Sequence, residues 1–254
     1  MTNKDETLSK FALPSAALLK QQAQWLAPAR ARLLRNIAIA HRQRVLDLGA
    51  GHGAVTPELV RRAGGRKSVI ALDHDLAAMR ASPGAFEGAL CVDGNSRHLP
   101  FTSGTFDLVF SQLTLLWIVP LAAAIGEIWR ILASGGVLVA LEPDYGGMIE
   151  YPTDITSRCL WIKAVARAGG DPYIGRKLPG LLASQGFEVR VELLNKLSPP
   201  SPTRFDFLHD LPLTNPERET LQRIERQATA LSARDSAWQQ VAHLPLFLIT
   251  ARKP

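Results

Sequence analysis

The sequence predicts an α/β fold: one mostly parallel sheet with helices on both faces. Three observations predict it. Short apolar runs alternate with segments of helical period. Those runs are nearly continuous in apolar residues, as strands covered on both faces are. The first of them ends in a glycine-rich turn, Gly49-Ala50-Gly51-His52-Gly53, that leads into another helical segment.

The elements follow in order. Residues 15–39 carry a helical period that includes Leu18, Leu19, Leu26, Leu33 and Leu34, with an interruption expected at Pro28. Residues 44–48 form the first strand and 54–64 the next helix. A second strand, 68–72, ends at Asp73-His74-Asp75, where Asp75 is a good N-cap for a helix over 76–81. Strands at 89–92 and 106–110 come next, then a helix at about 119–132, the pair Gly135-Gly136 and a fifth strand at 137–141. Strands spaced by helices imply right-handed parallel crossovers. Beyond residue 143 the rhythm breaks. A helix is expected from Asp154 to Ala168 and another over 176–185, followed by a strand of alternating character at 187–194. A Pro-rich stretch at 197–202, a charged helix near 216–232 and a closing apolar strand at 244–251 complete seven strands.

At 254 residues the chain can bury one large core or two small ones. It reads as a helical extension over 1–40 and one domain over 41–254, with cap insertions at about 146–172 and 197–240. Composition is globular, with 46% hydrophobic and 20% charged residues. No apolar run approaches the roughly 18–20 residues of a membrane span. The polar start, Met1 to Glu6, reads as neither a secretory signal nor a transit peptide. Cys91 and Cys159 are the only cysteines and lack metal-ligand spacing, so a reducing, cytoplasmic compartment is expected and a metal is not. Cys159 is expected to be a small buried hydrophobe. The formal net charge of +6 raises nucleic-acid binding. Its main local source is Arg30, Arg32, Arg35, Arg42 and Arg44, scattered around the first helix and the connection after it. No aromatics interleave with them, so a solvated face is favoured over a nucleic-acid patch.

In an open parallel sheet, ligands bind beyond the carboxyl ends of the strands. That rule selects residues 47–53, 73–75, 93–97, 111–113 and 142–145. The glycine loop lets a ligand touch backbone. By itself it also fits the dinucleotide pattern through Gly49, Gly51 and Ala54, so a nicotinamide cofactor stays open at this point. Asp73 suits a ribose diol in either case.

The run Val45-Leu46-Asp47-Leu48-Gly49-Ala50-Gly51-His52-Gly53 resembles the first motif of class I S-adenosylmethionine-dependent methyltransferases. Leu99-Pro100-Phe101 with Phe106-Asp107-Leu108-Val109-Phe110-Ser111 looks like a segment of the ubiquinone/menaquinone C-methyltransferase-like group. Glu127 to Gly136 is similar to that group's "E-RVLKPGG" turn. The resemblance spans about residues 42–142, and Gly186-Phe187 with the last strand fits the family's terminal β-hairpin. It implies a Rossmann-like seven-stranded sheet with an antiparallel final strand and S-adenosylmethionine as cofactor. It further implies that Gly49, Ala50 and Gly51 contact the methionine part by backbone, and that Asp47 fixes the loop and reaches the amino group. Asp73 is implied to hold both ribose hydroxyls and His74 to lie on adenine, unless His74 is a plain surface histidine. Asn95 stands where the family's adenine-recognising aspartate is usual, with Asp93 as second choice and Ser96 offering its N–H to the ring. Ser111, Gln112 and Leu113 are implied to line the sulfonium end, though Ser111 also suits a strand terminator.

For the methyl acceptor, the resemblance implies a small molecule, expected here to be apolar or aromatic. A base is needed only if the acceptor must lose a proton. Candidate catalytic residues are His52, Glu142 and Tyr145, with Asp144 read rather as part of a turn beside Gly146-Gly147. Arg176 is a candidate partner for Glu142 or for an anionic substrate. Met148, Tyr151, Trp161, Tyr173, Trp117 and Phe205 or Phe207 are candidates for an apolar lid, Trp161 being favoured as plain core. A monomer or homodimer is expected. A nucleic-acid or protein methyltransferase and a non-catalytic cofactor-binding assembly or regulatory protein are the alternatives.

Overall fold

The computed structural model describes residues 14–64, 68–194, 196–233 and 238–254. Residues 1–13 of the expected extension lie outside that set. The elements are α1 (Ala16–Asn36), β1 (Arg44–Leu48), α2 (Thr56–Ala63), β2 (Ser68–Asp73), α3 (Leu76–Arg80), β3 (Ala89–Asp93), β4 (Phe106–Gln112) and α4 (Ala122–Ile131). They continue with β5 (Leu132–Pro143), β6 (Ile149–Tyr151), α5 (Arg158–Arg167), α6 (Ile174–Gln185), β7 (Glu188–Leu193), α7 (Asp206–Asp210), α8 (Asn215–Ser232), β8 (Val241–His243) and β9 (Leu246–Arg252).

Seven strands form one sheet in the order β3-β2-β1-β4-β5-β9-β7. Strands β1 to β5 pair in parallel, while β9 runs antiparallel to both β5 and β7. The fold is therefore the expected Rossmann-like α/β sheet with an antiparallel last strand. Strand order reverses between β1 and β4, and this switch point is where the fold opens a crevice.

One face carries a core that includes Ile125 and Ile128 of α4, Leu160 of α5, Leu178 of α6 and Leu221 of α8. The other includes Leu26, Leu33 and Leu34 of α1 and Leu59 of α2 against Val45, Leu108 and Val139. Helix α1 thus belongs to the main core. It also runs straight through Pro28, where an interruption was expected. A mid-helix proline costs about 3 kcal/mol. Three buried leucines at about 1.5–3 kcal/mol each outweigh it, and Pro28 and Gln24, whose carbonyl loses its helical donor, face solvent.

Other differences have local causes. The helix expected over 154–168 divides into a 3₁₀ turn at Thr153–Ile155 and α5. Strand β5 starts at Leu132 rather than 137, because a register shift opposite Phe106 and Leu108 absorbs Gly135, at φ +74°, as a bulge. The pair β6–β8 forms a separate two-stranded antiparallel sheet too short to show a period. Strand β3, read as buried on both faces, is a sheet edge and leaves Leu90 and Cys91 exposed. Cys159 is also exposed, contrary to expectation, since it falls on the solvent side of α5. Among the described residues no helix is long and apolar enough to cross a membrane.

Candidate functional site

A cleft of about 1500 Å³, counting its open mouth, lies beyond the carboxyl ends of β1 to β5. Its floor is the glycine loop. Gly49 and Ala50 both donate to the Leu72 carbonyl (2.8 and 3.1 Å), and Gly53 donates to Ala50 (2.8 Å). Gly51 donates its N–H to Asp73 Oδ2 at 2.8 Å. Gly49 sits at φ +76°, and a Cβ there would stand 2.1 Å from Thr114 Cγ2. The loop is therefore pressed against the turn that follows β4, across the switch point.

Two buried acids flank this floor. Asp47 accepts the Thr56 hydroxyl at 2.7 Å, tying β1 to the start of α2. Burial pushes its carboxyl up to about 6, against the pull of Thr56. Burial acts the same way on Asp73, but there the His74 ring and the amides of Asp75 and Gly51 prevail and hold it below the usual range. Asp73 Oδ1 takes the Asp75 N–H at 2.9 Å and lies 3.3 Å from His74 Nδ1. That carboxylate raises the His74 pKa. Asp75 in turn caps α3 through Ala78 N, as expected.

The wall after β4 depends on Glu142, which is fully buried at the end of β5. Its carboxylate accepts the N–H groups of Thr114 (3.1 Å), Leu115 (2.8 Å) and Leu116 (3.3 Å). The chain reverses just before them at Leu113, a left-handed residue with φ 54°. Such a conformation persists only where its surroundings over-determine it, and Glu142 supplies that constraint. Burial pushes its carboxyl up to about 8 although the three amides oppose the shift.

The structure brings Asp47, Gly49, Ala50, Gly51, Asp73, His74, Asn95, Ser96, Gln112 and Tyr145 together on the cleft. It does not bring His52, Ser111 or Glu142 there. His52 turns off the cleft within the 50–53 turn, its Nδ1 buried without a partner among the described residues. Ser111 stays inside β4, which runs to Gln112, and faces the core opposite Ala140. Glu142 is occupied by the three amides and, among the described residues, pairs with no arginine. Arg176 instead pairs with Asp144 (Nε–Oδ2 2.5 Å), and the Asp144 carbonyl accepts Gly147 N–H in the expected turn. Asn95 already accepts Arg97 N–H at 2.9 Å, and Asp93 stays off the cleft. Of the lid candidates, Trp117 and Phe207 line it. Trp161 is core, stacked 5.0 Å from Tyr145 and 5.9 Å from Phe207. Tyr151 is exposed, and Met148, Tyr173 and Phe205 do not reach the cleft.

Sequence reasoning missed the roof. Pro14, together with Leu19 and Gln22 of α1, lines the cleft, as do Leu116, Ile118 and Val119. No sequence signal marks a helix that packs over strand ends far along the chain. It also misread Arg30, which is buried and bonded to Glu58, Gln112 and the Ala23 carbonyl, while Arg32, Arg35 and Arg44 are exposed as expected.

Residues 46–140 match the family model described as a methyltransferase domain. That segment is a methyltransferase domain, and the chain is similar to the S-adenosylmethionine-dependent methyltransferases of this group. Demethylmenaquinone methyltransferase of Corynebacterium urealyticum is 34% identical over 113 residues, 44% of this chain and 47% of that protein. Arginine-hydroxylase NDUFAF5 of Danio rerio is 28% identical over 173 residues, 65% of this chain and 51% of its own length. The chain thus spans about half the length of these curated relatives. The structure of geranyl diphosphate C-methyltransferase from Streptomyces coelicolor shares the fold of this methyltransferase domain at 15% identity and a TM-score of 0.57, over 98% of this chain and 86% of that one.

Proposed function

We propose that the chain transfers a methyl group from S-adenosylmethionine to a small, uncharged, apolar or aromatic acceptor. The observation that carries this reading is how charge is divided in the cleft. Among the described residues, every charged residue lining it comes from the β1, β2 and β3 side: Asp47, Asp73, His74 and Arg97. The β4–β5 side and the roof contribute Trp117, Ile118, Val119, Tyr145, Phe207 and Leu19, none of them ionised at neutral pH.

The cofactor fits the first half. The glycine floor leaves no room for side chains, as the Gly49–Thr114 approach shows. Asp73, held ionised, keeps lone pairs for ribose hydroxyls beyond those given to Gly51 and Asp75. Asn95 and Ser96 stand at the adenine end, and Gln112 lies beside the glycine floor. When bound, the cofactor supplies a methyl group already activated by its sulfonium charge.

The chain's own part is to orient and to exclude water, which is worth as much as roughly 7–11 kcal/mol of a barrier. Among the described residues no carboxylate lines the acceptor half. Burial raises the Tyr145 phenol above its ordinary range, so Tyr145 is a neutral hydrogen-bond donor and a poor base. The acceptor therefore arrives with a nucleophilic atom already exposed. We assign 41–254 as the methyltransferase domain, with 146–172 and 197–240 as caps. The two exposed free thiols suit a reducing, cytoplasmic compartment.

The test is incubation of the chain with methyl-labelled S-adenosylmethionine and a cell extract, followed by separation of small molecules from protein and nucleic acid. Label in an extractable apolar compound supports the reading. Label confined to protein or nucleic acid overturns it. A second reading, action on a protein arginine, is favoured by the arginine-hydroxylase relative, whose similarity covers 65% of this chain. It predicts a modified arginine by peptide mass spectrometry and no small methylated product.

A further inference from the structure

Arg30 is 3% exposed in the middle of α1 and divides its guanidinium among α2, the end of β4 and an earlier turn of α1 itself. Its Nε and Nη2 donate to Glu58 Oε2 at 2.8 and 2.5 Å. Glu58 lies in the first turn of α2, the helix that issues from the glycine floor. Its Nη1 donates to the Ala23 carbonyl at 2.9 Å and to Gln112 Oε1 at 2.9 Å. Ala23 is two turns up the same helix, beside Gln22 of the roof. Gln112 lines the cleft at the end of β4.

A group that served only to pin α1 to the core needs one partner. Glu58, which is also paired with Arg62 at 2.6 Å, already supplies it. The bonds to Ala23 and Gln112 both leave Nη1, and they join the roof helix α1 to the end of β4 beside the cofactor floor. Only a planar fork with five donors spans all three.

We propose that Arg30 is a positioning residue that couples the α1 roof over the acceptor half to the cofactor floor, so that cofactor binding orders the roof. The proposal rests on the methyltransferase reading above. It goes beyond it by giving residues 16–27 a state that depends on the occupant of the floor.

The test uses the full chain with S-adenosylhomocysteine as probe, reading affinity by calorimetry and hydrogen exchange over residues 16–27. In the wild type, the probe slows exchange there. Arg30→Met is expected to weaken the probe about tenfold, within the range usual for linked sites, and to abolish the slowing. Arg30→Lys does not restore it, because an ammonium cannot span three partners. Gln112→Leu keeps the Arg30–Glu58 pair and covers the case in which Arg30→Met does not fold. It leaves exchange of α1 without probe near wild type while removing the probe-dependent slowing. Retention of that slowing in Gln112→Leu, or in a folded Arg30→Met with affinity within twofold of wild type, overturns the proposal. A wild type that binds no probe overturns the cofactor reading and this proposal with it. A wild type that binds the probe without slowing residues 16–27 overturns this proposal alone.

Discussion

Replacing Gly49 with alanine tests whether the cofactor floor and the turn after β4 are one packed unit. Two costs add. Gly49 sits at φ +76°, where an L-residue pays about 1–2 kcal/mol. The new Cβ would also stand 2.1 Å from Thr114 Cγ2, 2.4 Å from Oγ1 and 2.8 Å from Cβ. Thr114 cannot easily retreat, since it is β-branched and its N–H is held by Glu142 at 3.1 Å. Overpacking of this kind costs about 1–3 kcal/mol, so Gly49→Ala is expected to destabilise the fold by about 2–5 kcal/mol. Thr114→Gly clears the three contacts but not the backbone strain. The double variant should recover the packing share, a coupling of about 1–3 kcal/mol in a double-mutant cycle. Urea unfolding of the four proteins measures it. Additivity of the two substitutions, or a Gly49→Ala cost under about 0.5 kcal/mol, refutes the packed-unit argument.

Three further outcomes are expected. Glu142 and Asp47 are raised by burial to about 8 and about 6 from 4.5 and 3.8, so the folded chain keeps protons that the unfolded chain has released. Stability should therefore fall as pH rises from about 5 to 8. His74, raised by Asp73, adds to the fall, and His243, lowered by burial, opposes it. Glu142→Gln should flatten the upper part of that slope in urea titrations. Asp73→Asn removes a charge-assisted acceptor worth about 1.5–3 kcal/mol and should weaken S-adenosylhomocysteine by about 10–100-fold in calorimetry; an unchanged affinity would remove Asp73 from the cofactor site. Trp161→Ala deletes the ring packed against Tyr145 and Phe207 and should cost about 3–5 kcal/mol by chemical denaturation. A cost below about 1 kcal/mol would show Trp161 to be peripheral.

The cofactor half of the cleft was legible because it is made of strand ends. A buried strand announces itself by composition, and in a parallel sheet its carboxyl end is a functional address. Asp47, Gly49, Gly51, Asp73, Asn95 and Gln112 are all found by that rule. Residues that act from inside an element were not. Ser111 was read as following a strand that ends at 110, whereas β4 runs on to Gln112, and His52 follows a turn whose direction depends on φ angles at its glycines. Glu142 was read as a free acid at a mouth because nothing local shows that the amides of 114–116 would arrive beside it.

What the chain determined by itself is the order of helices and strands, the glycine floor and the pair of acids around it. These rest on period, on strand composition and on the conformations open to glycine, all local properties. Tertiary structure decided which strands became edges, exposing Leu90 and Cys91, and which charges became buried. It carried α1 through Pro28 and over the cleft and turned Arg30 from a surface cation into a link between roof and floor. These outcomes depend on groups dozens of residues apart meeting in a dry interior, where an unpaired charge is too costly to leave. No window of sequence contains both partners.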